Sequence, residues 1–343
     1  MIDGNELIWE IFEKEVLEAA GCTETSSVGF ACSKAVHILE LEMGKKARIL
    51  EIAVTLDPAT KKNGSGVGIA GTDEKGFQIA AALGAVCGKH EEGLLALKDV
   101  DALSLEKAKE MEKRRIVKVK EDKKWRSFRI EVRIYADIGK VLLVIEGSHT
   151  NITCVEINDE PVKDPAMERK CVFPGEQNIP YRDILINKEI CDLVELAKNA
   201  DPAILEYIKK GVEINVLLSS EGFAYSKTAQ SLMKMIELGI CSCDPVMKTK
   251  IKIASAVEAR MRGIKYPAMS SGGSGNQGNI AILVPFFMGK YMGIEEDAIY
   301  RSIVLSHLVN AYVKCHTGSL SSMLVNYTGS SGQSIRCSCI REY

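Results

Sequence analysis

A chain of 343 residues with 46% hydrophobic and 26% charged side chains has the composition of an ordinary globular protein. It is long enough for two domains and for a core that needs no disulfide staples. A formal net charge of -2 gives no broad polyanion-binding surface, so nucleic acid is not an expected partner. The longest apolar run, Ile280–Met288, falls short of the roughly 18 residues of a membrane span. The acidic start Met1–Glu6 lacks the basic and then apolar signature of a signal peptide, so a cytoplasmic location away from membranes is expected. In that setting the 11 cysteines read as reduced thiols, with Cys32, Cys87, Cys154 and Cys191 as small core residues in apolar surroundings.

In chain order, Leu7, Ile8, Ile11, Phe12 and Val16 recur at helical spacing and predict a helix over 5–20, ended by Gly21. A second helix is expected from about Thr25 to Met43, leaving Gly21-Cys22-Thr23-Glu24 as an elbow between them. Residues 47–56 alternate as a strand, with Leu50, Ile52, Val54 and Leu56 on one face. The stretch 61–76 reads as loop, Phe77–Cys87 as a small-residue helix, and 115–121, 127–136 and 140–146 as strands. Beyond about residue 180 the pattern turns helical over 183–214, 226–238, 244–263 and 295–314. Ser226, Asp244 and Glu295 or Glu296 mark plausible helix starts. The predicted fold is α+β: an α/β-sandwich-like middle domain over 46–180, then a mostly helical domain over 181–343 on which the N-terminal helices of 1–45 also pack.

Four segments stand out chemically, and each has a bland alternative. A cysteine just before a helix, as Cys22 is, has its thiolate favoured by free backbone N–H groups and the helix dipole, which suits a nucleophile or a metal ligand. On residue physics alone the reading of a buried structural cysteine after a glycine cap is favoured. Lys61-Lys62-Asn63-Gly64-Ser65-Gly66 offers the donors and acceptor of Asn63 on a backbone that a ligand can approach, or is a surface turn. Ser148-His149-Thr150-Asn151 places a histidine at a strand end, where it is either a general base or a structural residue. Ser270-Ser271-Gly272-Gly273-Ser274-Gly275-Asn276-Gln277-Gly278 excludes bulk, concentrates hydrogen-bonding groups and precedes an apolar run. That is the make-up of an anion-binding nest, with a flexible linker as its alternative. It lacks the lysine of a phosphate-binding Walker loop and the leading strand of a dinucleotide fingerprint.

Taken together and in order, Gly21-Cys22-Thr23-Glu24, Lys62-Asn63-Gly64 with Val67-Gly68-Ile69, His149-Thr150-Asn151, and Ala259-Arg260-Met261 leading into Gly273-Ser274-Gly275-Asn276-Gln277-Gly278 resemble the iron–sulfur L-cysteine desulfidases. Their C-terminal half is related to the α-subunit of iron–sulfur L-serine dehydratases. The resemblance runs from about residue 6 to about residue 322. It implies a lyase of amino-acid catabolism that eliminates sulfide from L-cysteine to give pyruvate and ammonia. It also implies a 4Fe–4S cluster held by three cysteines, one iron being open as a Lewis acid. On that reading Cys22 is a cluster ligand and His149 transfers a proton. Asn63, Asn151, Ser274, Asn276 and Gln277 position the substrate, with L-serine as the alternative to L-cysteine. An exposed helical half could also self-associate into a homo-oligomer.

The sequence departs from the family after Thr317-Gly318-Ser319-Leu320-Ser321, where a Cys-Gly-Cys segment is expected and its cysteines fall on Leu324 and Asn326. The tail beyond Ser322 reads as truncated or frameshifted. The alternatives are substitution by Cys315, Cys337 or Cys339, or loss of the cluster. Two other functions compete. One is a pyridoxal-phosphate lyase with Lys61 or Lys62 as the Schiff base. The other is a non-catalytic amino-acid-binding protein.

Overall fold

The computed structural model describes residues 3–162 and 180–317. They form two compact units. A sheet unit is continuous from Ala20 and takes in 263–265 as a short excursion; a helical unit combines the residues up to Ala19 with 180–262 and 266–317. The first division therefore falls between Ala19 and Ala20, away from the residue 46 boundary drawn from sequence.

The sheet unit opens with α2 (Thr23–Met43), which follows α1 of the other unit and ends on Gly44 at φ +64°. Six strands follow in space as β3-β2-β4-β5-β6-β7. They are β2 (Ile49–Leu56), β3 (Val117–Glu121), β4 (Arg129–Ala136), β5 (Gly139–Glu146), β6 (Ile152–Ile157) and β7 (Glu160–Pro161). Only the β2–β3 pair is parallel. The sheet is mixed because the chain crosses from β2 to β3 through α3 (Pro58–Gly64), α4 (Phe77–Cys87), a 3₁₀ turn (His90–Leu95) and α5 (Ala102–Lys113), a connection a parallel pair requires. Ile52, Val54, Leu56, Ile130, Val132 and Ile134 are fully buried on one face, each stabilising by about 1.5–3 kcal/mol. Leu50, expected on that face, is 53% exposed near the register shift that begins β2. α2 and α4 touch backbone to backbone: a Cβ on Gly84 would lie 2.2 Å from the Gly29 carbonyl oxygen.

The loop expected over 61–76 begins late, because α3 runs through Gly64. Asp57 caps α3 by accepting from the N–H groups of Ala59 and Thr60 at 2.9 and 3.0 Å, and Pro58 pre-sets its first turn. The sequence reading placed no element there because the helix is short and polar.

The helical unit contains α1 (Gly4–Glu15), α6 (Pro180–Leu185), α7 (Ile190–Lys198), α8 (Pro202–Gly222), α9 (Lys227–Glu237), α10 (Pro245–Met261), α11 (Gly275–Met292) and α12 (Glu296–Thr317). β1 (Glu18–Ala19) pairs antiparallel with β8 (Ala268–Met269). Leu7, Ile8, Ile11 and Phe12 are the buried stripe of α1 that the spacing predicts. The single helix expected over 183–214 is three, since Asn187-Lys188-Glu189 and Asn199-Ala200-Asp201 supply caps and Pro202 starts α8. Ser226 and Asp244 cap α9 and α10 as expected, accepting from Ala229 N–H at 3.0 Å and Met247 N–H at 2.8 Å. Cys32 is buried and Cys87 and Cys154 are half-buried, but Cys191, expected in the core, is exposed on α7. No helix among the described residues is long and apolar enough to cross a membrane.

Candidate functional site

The elbow before α2 is built by Gly21 at φ +68°, a left-handed turn that places Cys22 at the helix N-cap. Cys22 is buried, and its carbonyl accepts from Ser26 N–H and Thr25 Oγ1, both at 3.0 Å. The Cys22 thiol donates to Glu24 Oε2 at 2.7 Å, and Thr23 Oγ1 donates to the same oxygen at 3.1 Å. Asn63 Nδ2, in the last turn of α3, donates to the other oxygen at 3.2 Å. Glu24 is only 6% exposed, and its carboxyl group is held in the interior by the donors of Cys22, Thr23 and Asn63, the kind of pairing a buried polar group requires. α3 is fixed in turn by Gly64, where an added Cβ would sit 2.2 Å from Phe77 Cζ. The structure thus brings Cys22 and Asn63 together through Glu24, a residue the sequence reading quoted in its motif without assigning it a role.

His149 lies in the turn between β5 and β6. Its carbonyl accepts from Ser27 Oγ at 2.5 Å, which ties the turn to α2, and its ring lies on Phe128 with centroids 4.7 Å apart. The imidazole is 6% exposed. Asn151 is exposed and its amide donates to the Glu146 carbonyl at 3.0 Å, closing the turn. Lys61 Nζ stands 5.7 Å above the Phe77 ring.

In the helical unit the glycine-rich stretch is half loop and half helix, because α11 begins at Gly275. The loop is stitched to β1 and the end of α1: Ser270 N–H donates to the Leu17 carbonyl at 2.8 Å, Ser270 Oγ accepts from Leu17 N–H at 2.9 Å, and Gly273 N–H donates to the Glu15 carbonyl at 3.2 Å. Asn215 on α8 clamps Met269, donating to its carbonyl at 3.2 Å and accepting from its N–H at 2.7 Å. The glycines answer to contacts. A Cβ on Gly278 would lie 2.0 Å from the Met269 carbonyl oxygen, and one on Gly275 would lie 2.2 Å from Arg260 Nε.

Ser274 is the N-cap of α11 and accepts from Gln277 N–H at 3.5 Å. Asn276 Oδ1 accepts from Arg260 Nη1 at 2.9 Å, and Arg260 is 2% exposed. Gln277 Oε1 accepts from Asn310 Nδ2 at 3.2 Å. The same Nδ2 donates to Ser271 Oγ at 2.9 Å, and His307 Nδ1 is 2.9 Å from that hydroxyl. Lys314, 3% exposed, donates to the Gly272 carbonyl. Sequence reasoning quoted Ser271 and Arg260 in its motifs without assigning them a role and did not single out His307, Asn310 or Lys314. The available signal was a stripe of His307, Asn310 and Lys314 at helical spacing inside an otherwise apolar run.

The cluster that the resemblance implies needs further thiolates beside Cys22. Among the described residues no group of three or more His, Cys, Asp or Glu side chains could hold a metal. Cys315 lies on α12, where its thiol donates to the Ala311 carbonyl at 3.3 Å and burial pushes it up to about 11. The tail with Cys337 and Cys339, and the positions of Leu324 and Asn326, lie outside the described residues. The described donors do not complete a cluster site.

Residues 91–332 match the family described as serine dehydratase alpha chain. A UPF0597 protein of Geobacter sulfurreducens is 36% identical over 320 residues, covering 91% of this chain and 71% of that protein. UPF0597 proteins of Elusimicrobium minutum and Clostridium tetani are 37% and 34% identical, over 92% of this chain and 72% and 71% of theirs. No solved structure matches the chain. His149 and the whole glycine-rich segment fall inside the matched span, whereas Cys22 and Asn63 precede it. The chain therefore belongs to the serine dehydratase alpha chain family, in its UPF0597 branch.

Proposed function

We propose that the protein is a lyase that eliminates the β-substituent of a small L-amino acid, sulfide from L-cysteine or water from L-serine. In this reaction a base takes the Cα proton, the Cβ–S or Cβ–O bond breaks with its electron pair leaving on sulfur or oxygen, and 2-aminoacrylate remains. Tautomerisation to the imine and attack by water then give pyruvate and ammonia. The observation that carries the reading is the Cys22–Glu24–Asn63 arrangement, a thiol, a carboxylate and an amide linked in a buried elbow of a chain from this family. Polar groups concentrated out of water are where proton and charge movements are stabilised most.

His149 is the proposed proton-transfer residue; its place in a turn tied to α2 by Ser27 supports a fixed imidazole. Asn63, Asn151, Ser274, Asn276 and Gln277 are proposed around the substrate. Of these, Ser274 and Asn276 have capping and Arg260-binding duties in the free protein. Cys22 is the proposed first ligand should residues outside the described set complete an iron–sulfur cluster. A cytoplasmic setting and self-association belong to the same proposal.

The test is anaerobic reconstitution with iron and sulfide, followed by assays for pyruvate and sulfide with L-cysteine and L-serine. Pyruvate from either amino acid is expected; none from both overturns the lyase. Iron content separates the cofactor from the chemistry: about four irons per chain, lost in Cys22→Ala, supports a cluster, and less than about one removes it.

A further inference from the structure

The sheet has two unlike faces. Toward α2 and α4 it turns the row Val117, Ile52, Ile134, Val141 and Ile157, each at most 7% exposed. One residue along every strand the side chains point the other way. The row there is Lys118, Ala53, Arg133, Leu142 and Glu156, neighbours in register from β3 through β2, β4 and β5 to β6. This row is open. The side chains of Lys118 and Arg133 are 63% and 45% exposed, and Ala53, Leu142 and Glu156 are half-buried. Two residues further on, the same face is closed by its own chain. Thr55 and Val144 are buried, and Trp125 lies 4.8 Å from the Arg129 guanidinium, which pairs with Glu146 at 2.6 Å.

Across the five strands the open row reads cation, small, cation, large apolar, anion, with β4 in the middle. Turned about a two-fold axis that runs along β4, the row meets its own reverse. Lys118 then faces Glu156 and Ala53 faces Leu142, each contact occurring twice. Arg133 falls on the axis, with its charge offset by Glu131, which accepts from Arg133 Nε at 3.0 Å. Lys118 uses one of its three ammonium hydrogens on Glu51, at 2.5 Å, which leaves two for a facing carboxylate. An axis along the strands also keeps the two sets of strands aligned, the arrangement in which twisted sheets stack. The opposed charges suit a copy of the same face and give no preference for a partner of one sign.

We infer that the open face of the sheet is the docking surface for a second copy of this chain, face to face about an axis along β4. Five strands at about 4.8 Å spacing and eight residues at about 3.3 Å each make a face of about 20 by 25 Å. That is at the lower end for a specific interface, so the dimer forms in the micromolar range and is not permanent. This deepens the self-association proposed above and moves it from the helical half to the sheet; it does not rest on the elimination chemistry.

The test is sedimentation velocity of the full chain from about 1 to about 200 µM. A monomer–dimer equilibrium is expected. Lys118→Glu and Glu156→Lys, each reversing two contacts per dimer, should each weaken it at least about tenfold. The two together exchange the charges and should return the dissociation constant to within about threefold of the unaltered protein. Leu142→Ala should weaken the dimer at least about fivefold, because symmetry removes its packing against Ala53 twice, and it stands in should a charge reversal fail to fold. A protein that stays monomeric through about 200 µM overturns the face. So does a dimer indifferent to the single reversals, or a double variant no tighter than the weaker single. A dimer that behaves as expected, with no pyruvate from L-cysteine or L-serine, sinks the lyase and keeps the face. Pyruvate from a protein that stays monomeric sinks the face and keeps the lyase.

Discussion

The elbow before α2 and the loop before α11 both precede a long, mostly buried helix, yet they are held by different forces. The elbow depends on side chains, with one carboxylate gathering a thiol, a hydroxyl and an amide. The loop depends on close approach of its backbone, with Gly278 against the Met269 carbonyl and Gly275 against the Arg260 guanidinium, and with polar side chains from α12 laid over it. A side-chain clamp can be removed one hydrogen bond at a time. A backbone contact of 2.0 Å to a would-be Cβ tolerates no atom at all.

The sharpest way to break that contrast is Gly278→Ala. The methyl meets the Met269 carbonyl, so the cost should be about 3 kcal/mol or more, read by urea unfolding. A loss below about 1 kcal/mol would mean that the loop yields and that backbone packing does not define it. Glu24→Ala comes next: it strands the donors of Cys22, Thr23 and Asn63 and should cost about 2 kcal/mol in the same measurement. Gly21→Ala should cost about 1 kcal/mol from its φ of +68°, with only a tight 3.3 Å contact to the Gly68 carbonyl, so the two glycine substitutions should differ severalfold. Equal effects would erase the distinction between the regions. Ser274→Ala removes an N-cap whose hydrogen bond is long, 3.5 Å, and should cost at most about 1 kcal/mol.

The smallest effect is with acid, and it should reach the elbow alone. Burial, the His37 ring stacked 4.1 Å away and Lys34 hold His90 below the ordinary imidazole value of 6.5. A folded value depressed in this way means that folding favours the neutral ring. Its stabilisation is therefore present above 6.5 and is lost as pH falls through the lower folded value. His90 begins the 3₁₀ turn whose Leu94 carbonyl accepts from Ala20 N–H at 3.3 Å, next to the elbow. Amide-exchange protection at Ala20 should fall on acidification, while that at Gly278, bonded to the Ser274 carbonyl at 2.9 Å, should not follow it. His90→Asn should flatten the response; an unchanged response would place the titrating group elsewhere.

Local periodicity made much of the fold legible. α2, α4, α9, α10, α12 and the strands β2 to β5 follow from apolar spacing and caps within a residue or a few, whereas α1, expected to run to residue 20, ends at Glu15 because Glu18 and Ala19 pair with β8 instead. α3 and α5 escaped because they are polar, and β6 and β7 because a turn and their own short length hide the alternation. The grouping of α2 with the sheet was not legible, since it depends on Gly29 meeting Gly84 across 55 residues. Of the candidate site, motif order pointed to Cys22, Asn63, His149 and the glycine-rich segment. What connects them lies in Glu24, whose partner Asn63 is 39 residues away, and in α12, which reaches back across 33 to 42 residues to the loop. Pairings at such separations leave no local pattern.

The pairing of β1 with β8 has a further consequence for how the molecule is made. Glu18 and Ala19 meet Met269 and Ala268, about 250 residues later, and the loop carbonyls of Glu15 and Leu17 bond to Gly273 and Ser270. The sheet unit, by contrast, is continuous but for three residues at 263–265. During synthesis the sheet can close on local contacts well before its neighbour has a second half. α1, with Leu7, Ile8, Ile11 and Phe12 on one stripe, has no partner until α6 to α8 emerge and completes its packing only with α12. The earliest segment of the chain is among the last to find its place.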